Sequence, residues 1–311
     1  MLNRYAFTVC RGIGLFKDIG KSMRQASKDN EKYYGKSVPI FPKELEESLI
    51  ESANKTQPDV LDIGAGIGMT VWRELLSGAN VVAADIAYKD MSARLAFETY
   101  ISNKVPQDVL QNRLTVLDDD IFSLNKISGL YREAFDIVNI QNVIHFYCPE
   151  DIKLMIDGIY NLLKPNGIAV VTANSLYLRK MYMDEKCAEI YKKATEANNA
   201  FPGYIKVYMQ AAMEKHIYFD STKNCHKIED MQDDSLCSFK QELFAKDGNA
   251  YLTKVWNDFD IQSLSQLFAK DRFDIISASY YSLTLGPGSI EDPEQSFSVS
   301  ISARKKETAE H

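Results

Sequence analysis

Cysteine is scarce in this chain and shows no pairing pattern. The five cysteines among 311 residues lie at positions 10, 148, 187, 225 and 237, without a Cys-x-x-Cys motif. A disulfide framework or a zinc cage is therefore not expected, no metal site is predicted, and a cytoplasmic location fits best. The chain also lacks any run of 18 apolar residues, so no transmembrane helix is predicted. The apolar N-terminal stretch is broken by Arg11 and Lys17, which argues against a signal-peptide core.

Positive charge is in deficit, which disfavours a nucleic-acid partner. The formal net charge is −7, and 45% of the residues are hydrophobic, enough for a substantial core. The basic residues are concentrated in residues 1–40, which hold eight lysines and arginines against three acids. Such an arm could contact phosphate or an anionic membrane, but a solvated amphipathic helix that covers the core is the simpler interpretation, because basic residues alone are weak evidence. The sequence does not indicate the oligomeric state.

Strand-like and helix-like segments alternate from Asp59 to about Ala173. Apolar runs typical of strands are DVLDI, NVVAAD, RLTVLDDD, AFDIVNIQ and IAVVTAN, with helical spacing in the segments between several of them. This alternation favours a Rossmann-like, doubly wound α/β fold, with a mostly parallel seven-stranded sheet and helices on both faces. The carboxyl ends of the strands then meet at one edge, where ligands bind in such folds.

The alternation breaks at residues 175–258, which divides the chain into four predicted parts. Residues 1–57 are interpreted as an N-terminal helical cover and 58–174 as the cofactor-binding core. The segment 175–258 is rich in aromatic residues, and it is predicted to be an ordered, mostly helical lid beside the acceptor pocket. Residues 259–311 return to a helix and two strands, and are predicted to close the sheet.

The stretch VLDIGAGIG, Val60 to Gly68, carries the strongest functional signal. Glycines at positions 64, 66 and 68 between a strand and a helix indicate that a ligand approaches the backbone closely. Dinucleotide sites use Gly-x-Gly-x-x-Gly instead, and Met69 occupies the third glycine position of that pattern. Asp62 at the strand end would repel a pyrophosphate but suits a ligand that carries an ammonium and a sulfonium. A nicotinamide oxidoreductase is therefore disfavoured.

The stretch resembles motif I of the class I S-adenosylmethionine-dependent methyltransferases, and other signatures of that family follow in order. The resemblance covers about residues 58–174 and the final two strands. It implies that Asp85, after the second strand, accepts the ribose hydroxyls with Ile86 beside it. It implies that an acid after the third strand binds the adenine amino group: Asp120 with Ile121 against the ring, or Asp119 one position earlier. The cofactor set is Asp62, Gly64, Ala65, Gly66, Asp85, Ile86, Asp119, Asp120, Ile121 and Gln141.

The segment after the fourth strand, QNVIHFY, is predicted to face the methyl acceptor. The resemblance places Gln141 nearest the cofactor, mainly through its backbone, and aligns His145 with a histidine that is frequent in the family. His145 is the one candidate catalytic residue, although a structural hydrogen-bonding role is the alternative. Candidate acceptor contacts are Tyr34, Asn142, Tyr147 and Asn174. Part of the segment is also similar to the mRNA cap guanine-N7 methyltransferases, but Phe146 stands where they carry a tyrosine, and the acidic chain suits RNA poorly.

The sequence therefore predicts a methyltransferase that uses S-adenosylmethionine, with S-adenosylhomocysteine as product. The expected step is in-line displacement onto an unidentified acceptor, most simply a small molecule. The sulfonium already activates the methyl group, so alignment and desolvation can supply much of the acceleration. Two alternatives remain open: a cap-type RNA methyltransferase, and a non-catalytic protein that only binds S-adenosylmethionine.

Overall fold

The computed structural model describes residues 42–119, 131–147, 149–177, 192–210, 251–281, 289–293 and 296–307. The helices are α1 (Lys43–Ala53), α2 (Val71–Leu76), α3 (Met91–Ser102), α4 (Gln107–Arg113), α5 (Pro149–Leu162) and α6 (Ile261–Gln266). Two single-turn 3-10 helices are η1 (Ile86–Lys89) and η2 (Ile144–Phe146). The strands are β1 (Asp59–Ile63), β2 (Asn80–Ala84), β3 (Leu114–Leu117), β4 (Phe135–Gln141), β5 (Leu163–Asn174), β6 (Gly203–Gln210), β7 (Tyr251–Asp258), β8 (Phe273–Tyr281), β9 (Ser289–Ile290) and β10 (Ser298–Lys305).

One sheet organises the core. Its strand order is β3-β2-β1-β4-β5-β10-β8-β9. Strands β1 to β5 pair in parallel, and β10 is antiparallel to both β5 and β8. Strand β9 is a two-residue addition beside β8. Without it, the sheet has the seven strands that the sequence predicts, so the Rossmann-like fold class is confirmed.

The helices form where the apolar pattern predicts them. In α5 the residues at helical spacing, Ile152, Met155, Ile156, Ile159 and Leu162, are all buried against the sheet. Strand β4 lies between β1 and β5 in the sheet and is buried almost throughout, as expected for a central parallel strand. No helix among the described residues is apolar over a length that would cross a membrane.

Helix α1 lies on the sheet through both apolar and polar contacts. Its own residues Leu45 and Leu49 are buried on the side that faces the sheet. The Tyr281 hydroxyl, at the end of β8, donates to the Glu44 carboxylate at 2.5 Å and accepts the Lys43 backbone N–H at 2.7 Å. This tyrosine is 1% exposed, so its hydroxyl is a buried structural contact between α1 and the sheet.

The segment 175–258 differs from the predicted helical lid in its described part. Residues 192–196 are helical, but β6 and β7 pair as a separate antiparallel ribbon, and residues 178–191 and 211–250 lie outside the described residues. In the sequence GYIKVYMQ apolar residues alternate with more polar ones, and β-branched and aromatic residues are frequent. Both properties favour a strand. The aromatic content that predicted an ordered segment therefore belongs, in part, to a β-ribbon.

The ribbon begins where two backbones approach closely. Gly203 pairs with Asp258, and a Cβ on Gly203 would lie 2.1 Å from the Asp258 carbonyl oxygen. Gly203→Ala is therefore expected to displace the ribbon base and lower the free energy of unfolding by about 1–3 kcal/mol. Chemical denaturation measures this loss.

The matched variant is Gly78→Ala. Gly78 has φ +99°, but the nearest atom to its added Cβ is 3.9 Å away. This variant carries backbone strain without the clash, on the order of 1 kcal/mol. A Gly203→Ala protein as stable as the wild type would show that the two backbones are not held at this distance.

Candidate active site

The glycine turn after β1 requires a backbone conformation that other residues rarely adopt. Gly64, Gly66 and Gly68 have φ values of +70°, +56° and +84°. A Cβ on Gly64 would lie 2.3 Å from Val143 Cγ2, and one on Gly68 would lie 2.5 Å from Ile101 Cδ1. Two of the three glycines are thus required by close packing as well as by φ. The turn is held at the carboxyl edge of the sheet.

Asp85 connects the end of β2 to this turn. One carboxylate oxygen accepts the Gly66 N–H at 2.9 Å, and the other accepts the Ala87 N–H at 2.8 Å, where Asp85 caps η1. Burial raises the pKa of Asp85, while these two backbone donors oppose the rise. A carboxylate oxygen can accept two hydrogen bonds, so each retains capacity for a ligand hydroxyl. Ile86 follows at the start of η1 and is half-buried.

Asp62 lies under the turn and is bound within the protein. Its side chain is 1% exposed, and it accepts hydrogen bonds from the Thr70 hydroxyl and from Asn139 Nδ2, the latter at 3.2 Å. The same amide nitrogen of Asn139 lies 2.9 Å from Glu74 Oε1, and Gln141 Nε2 donates to Asn139 Oδ1 at 2.5 Å. Asp62 thus orients the turn through Thr70, and its direct contact with a cofactor ammonium stays a prediction.

Two buried carboxyl groups meet in this network. Burial and, to a smaller extent, the charge of Asp85 together raise the pKa of Asp62 to about 7, although hydrogen bonds from Thr70 and Asn139 oppose the rise. Burial and the Asp62 charge hold the pKa of Glu74 well above its usual range. Two carboxylates that share a single buried amide donor repel each other, so a proton is retained on the pair.

The segment after β4 carries the predicted catalytic residue. His145 in η2 is 3% exposed, and its Nδ1 accepts the Asn174 backbone N–H in a long, 3.4 Å bond. The bond assigns the imidazole proton to Nε2. His145 therefore joins the ends of β4 and β5 and presents an N–H, not a lone pair, at its other nitrogen.

The remaining predicted residues fall into two groups. The first group is described by the structure. Ala65 is buried in the glycine turn, and Asn142 lies directly after β4 with φ +57°. Asn174 ends β5, and Asp119 follows β3 by two residues and is half-buried. Gln141 ends β4, and its Oε1 has no donor among the described residues. Tyr34, Asp120 and Ile121 lie outside the described residues, so their predicted roles stay predictions.

The base of the ribbon reaches this edge of the sheet. Asn257, at the end of β7, is fully buried and donates from Nδ2 to the Tyr147 carbonyl at 3.2 Å. The Phe259 N–H donates to the Asn174 carbonyl at 2.9 Å. The ribbon base is therefore attached to both η2 and the end of β5. The predicted role of this segment as a lid stays a prediction.

The sequence reasoning missed several residues of the site. Tyr88 in η1 donates from its hydroxyl to the Gly66 carbonyl at 2.7 Å. Glu74 and the buried hydrogen bonds of Asn139 were missed as well, yet each residue leaves a signal: a charged residue on the apolar side of α2, and a polar residue inside the buried strand β4. Polar residues at buried positions are rare unless they are paired.

A family model described as a methyltransferase domain matches residues 61–169. The matched range begins in β1 and contains the glycine turn, Asp85 and η2. Residues 61–169 form a methyltransferase domain. The predicted family, the enzyme class and S-adenosylmethionine as cofactor are thereby confirmed.

Solved structures with a similar arrangement include other methyltransferases. One is the 1,6-didemethyltoxoflavin-N1-methyltransferase of Burkholderia thailandensis, at 14% identity and TM-score 0.46, over 94% of this chain and 90% of that one. Another is an S-adenosylmethionine-dependent methyltransferase of Methanosarcina mazei, at 16% identity and TM-score 0.47, over 83% and 97%. A third, from Mesorhizobium loti, has 15% identity and TM-score 0.44 over 83% and 96%. No curated protein sequence matches the chain. Likeness of this degree says nothing about the methyl acceptor of this methyltransferase.

Proposed function

We propose that this methyltransferase methylates a small molecule between the glycine turn, η2 and the base of the ribbon. The observation that carries the proposal is the hydrogen bond from Asn257 to the Tyr147 carbonyl. This bond fixes the base of the ribbon beside η2, so the ribbon base forms a wall on one side of the carboxyl end of β4. The wall is supported from the core, where the buried rings of Phe201 and Phe259 meet edge-on with centroids 6.3 Å apart. An edge with a wall on one side suits a small acceptor.

The charge of the chain also supports a small acceptor. The polar side chains named in η2, beside it and at the end of β5 are neutral amides and one imidazole: Asn142, Asn174, Asn257 and His145. A nucleic acid would require cations that neutralise its phosphates, whereas the net charge here is −7. The comparisons give no support to the RNA cap alternative.

The residues of the turn fit S-adenosylmethionine, which when bound supplies a methyl group activated on a sulfonium. Asp85 would accept the ribose hydroxyls with the capacity that its oxygens retain beside Gly66 and Ala87. Gly64 and Gly66 would let the backbone lie against the cofactor, and Ile86 would contact the adenosine. Asp119 or Asp120 would accept from the adenine amino group, with Ile121 against the ring.

The acceptor would be oriented by residues at the ends of β4 and β5. Asn142, Tyr147 and Asn174 are the candidates among the described residues, and Tyr34 is a further candidate. His145 would act as a hydrogen-bond donor through Nε2, because its Nδ1 already accepts a backbone N–H. The site therefore favours an acceptor atom that reaches the methyl group without giving up a proton to this histidine.

A conservative replacement tests the role of His145. The amide oxygen of His145→Asn can take the place of Nδ1 and accept the Asn174 N–H. We expect kcat to remain within about threefold of the wild type, while His145→Ala loses stability because a buried N–H is left unpaired. A general base contributes roughly 100-fold or more. A loss of that size in a folded His145→Asn protein would therefore show that His145 is the base.

Binding and turnover together test the proposed function. Isothermal calorimetry of the full chain is expected to show binding of S-adenosylmethionine and S-adenosylhomocysteine, and no binding of NAD. Turnover is then measured as S-adenosylhomocysteine release with a panel of aromatic small molecules and, separately, with guanosine-capped RNA. Release with a small molecule supports the proposal. Release with capped RNA alone, or binding without turnover of either class, overturns it.

A further inference from the structure

The backbone N–H and the backbone carbonyl of Gly66 are both hydrogen-bonded by side chains of one short segment. Its N–H donates to Asp85 Oδ2 at 2.9 Å, and its carbonyl accepts the Tyr88 hydroxyl at 2.7 Å. Asp85 and Tyr88 lie three residues apart, at the two ends of the first turn after β2. Gly66 has φ +56° and belongs to a turn with three glycines, which would otherwise sample many conformations.

Tyr88 is itself fixed by the core. It is 2% exposed, and its ring packs on Phe97 with the centroids 4.9 Å apart. Phe97 also lies against the glycine turn, since a Cβ on Gly68 would be 2.9 Å from Phe97 Cε2. The Asp85 carboxylate caps η1 through the Ala87 N–H. The hydroxyl of Tyr88 is therefore delivered to Gly66 by a rigid turn and a packed ring.

We propose that Tyr88 is a positioning residue for S-adenosylmethionine, which acts by holding the Gly66 carbonyl and so presets the glycine turn in its binding conformation. The inference rests on the proposed use of this turn by the cofactor. A turn that is already ordered loses less conformational entropy when the ligand binds, so affinity rises without any direct contact from Tyr88.

Removal of the hydroxyl alone tests the inference. Tyr88→Phe keeps the ring on Phe97 but releases the Gly66 carbonyl. We expect the Kd for S-adenosylmethionine and for S-adenosylhomocysteine to rise about three- to tenfold, the range of one net hydrogen bond. The backbone amide resonance of Ile67, in the same peptide unit as the Gly66 carbonyl, is expected to shift in the unliganded variant.

The matched control is another buried tyrosine hydroxyl. Tyr281→Phe removes the contacts to Glu44 and to the Lys43 N–H, which lie between α1 and β8 and not at the glycine turn. This variant is expected to lose at least as much thermal stability as Tyr88→Phe, because a buried carboxylate loses its donor. Its Kd for S-adenosylmethionine is expected to equal that of the wild type at a temperature where both are folded.

The outcomes separate this inference from the proposed function. A wild-type protein that binds neither ligand refutes the proposed function, and the inference with it. Wild-type binding with an unchanged Kd in a folded Tyr88→Phe protein refutes the inference alone. Equal weakening in Tyr88→Phe and Tyr281→Phe also refutes it, since the effect would then follow general stability. Weakened binding in Tyr88→Phe only, with the shifted Ile67 resonance, supports it.

Discussion

Asp85→Ala is expected to weaken the binding of S-adenosylmethionine by about 1.5–3 kcal/mol, which corresponds to roughly a 10- to 150-fold rise in Kd. The variant removes a carboxylate that is proposed to accept the ribose hydroxyls. It also releases the Gly66 N–H, which donates to Asp85 Oδ2 at 2.9 Å. The two losses act on the same ligand, so the effect is expected to exceed that of Tyr88→Phe. Isothermal calorimetry with the full chain measures it.

Asp90→Ala provides the matched control. Asp90 caps α3 by accepting the Ser92 N–H at 2.7 Å and the Ala93 N–H at 3.4 Å, and both donors lie in α3, outside the glycine turn. Loss of this cap is expected to lower stability by about 1 kcal/mol and to leave the Kd unchanged. If the Kd of a folded Asp85→Ala protein equals that of the wild type, the ribose is bound elsewhere.

Glu74→Gln is expected to stabilise the protein at pH 8 and to reduce the dependence of its stability on pH. In the wild type both carboxyls of the pair have raised pKa values. The folded chain therefore binds protons that the unfolded chain releases. The free energy of unfolding falls as pH rises from about 4, where unfolded carboxyls ionise, to about 7, the pKa of folded Asp62. A neutral glutamine removes one of the two titrating groups.

The glutamine retains the hydrogen bonds of the network. Its Oε1 can accept from Asn139 Nδ2, which lies 2.9 Å from the Glu74 oxygen, and its amide can donate toward Asp62. The same replacement at Glu98 is the control, since Glu98 is exposed and forms an i,i+4 pair with Arg94. Urea unfolding between pH 5 and pH 8 compares the three proteins. A Glu74→Gln protein that is less stable at pH 8, with the wild-type pH slope, would contradict the shared-proton interpretation.

The order of the elements in the core was predictable because each signal is local. Apolar runs located β1, β2, β4 and the strand within Leu163–Asn174, and helical spacing located α3 and α5. The glycine turn was predictable for the same reason, since glycines between a strand and a helix report a local backbone requirement. Asp85 followed from its place at the end of β2. The family resemblance then supplied the cofactor.

The ribbon and the buried polar network were not predictable in this way. Strand β6 pairs with β7 across a long stretch of chain, so its alternating pattern competed with a helical interpretation of the same aromatic residues. Asn139 lies beside Asp62 because β1 and β4 pair in parallel with these two residues in register. They are 77 residues apart in sequence, and no local pattern reports such a neighbour.

By itself, the sequence determined the class of the fold, the place of the glycine turn and the acid that follows β2, since these depend on local φ values and on hydrophobic periodicity. Only the tertiary structure decided how that turn is held. The Tyr88 hydroxyl reaches the Gly66 carbonyl because η1 folds back over the turn, and His145 accepts the Asn174 N–H because β4 and β5 end at the same edge. Both contacts are made by side chains whose direction is set by packing against distant elements, and that direction is not encoded in the residues beside them.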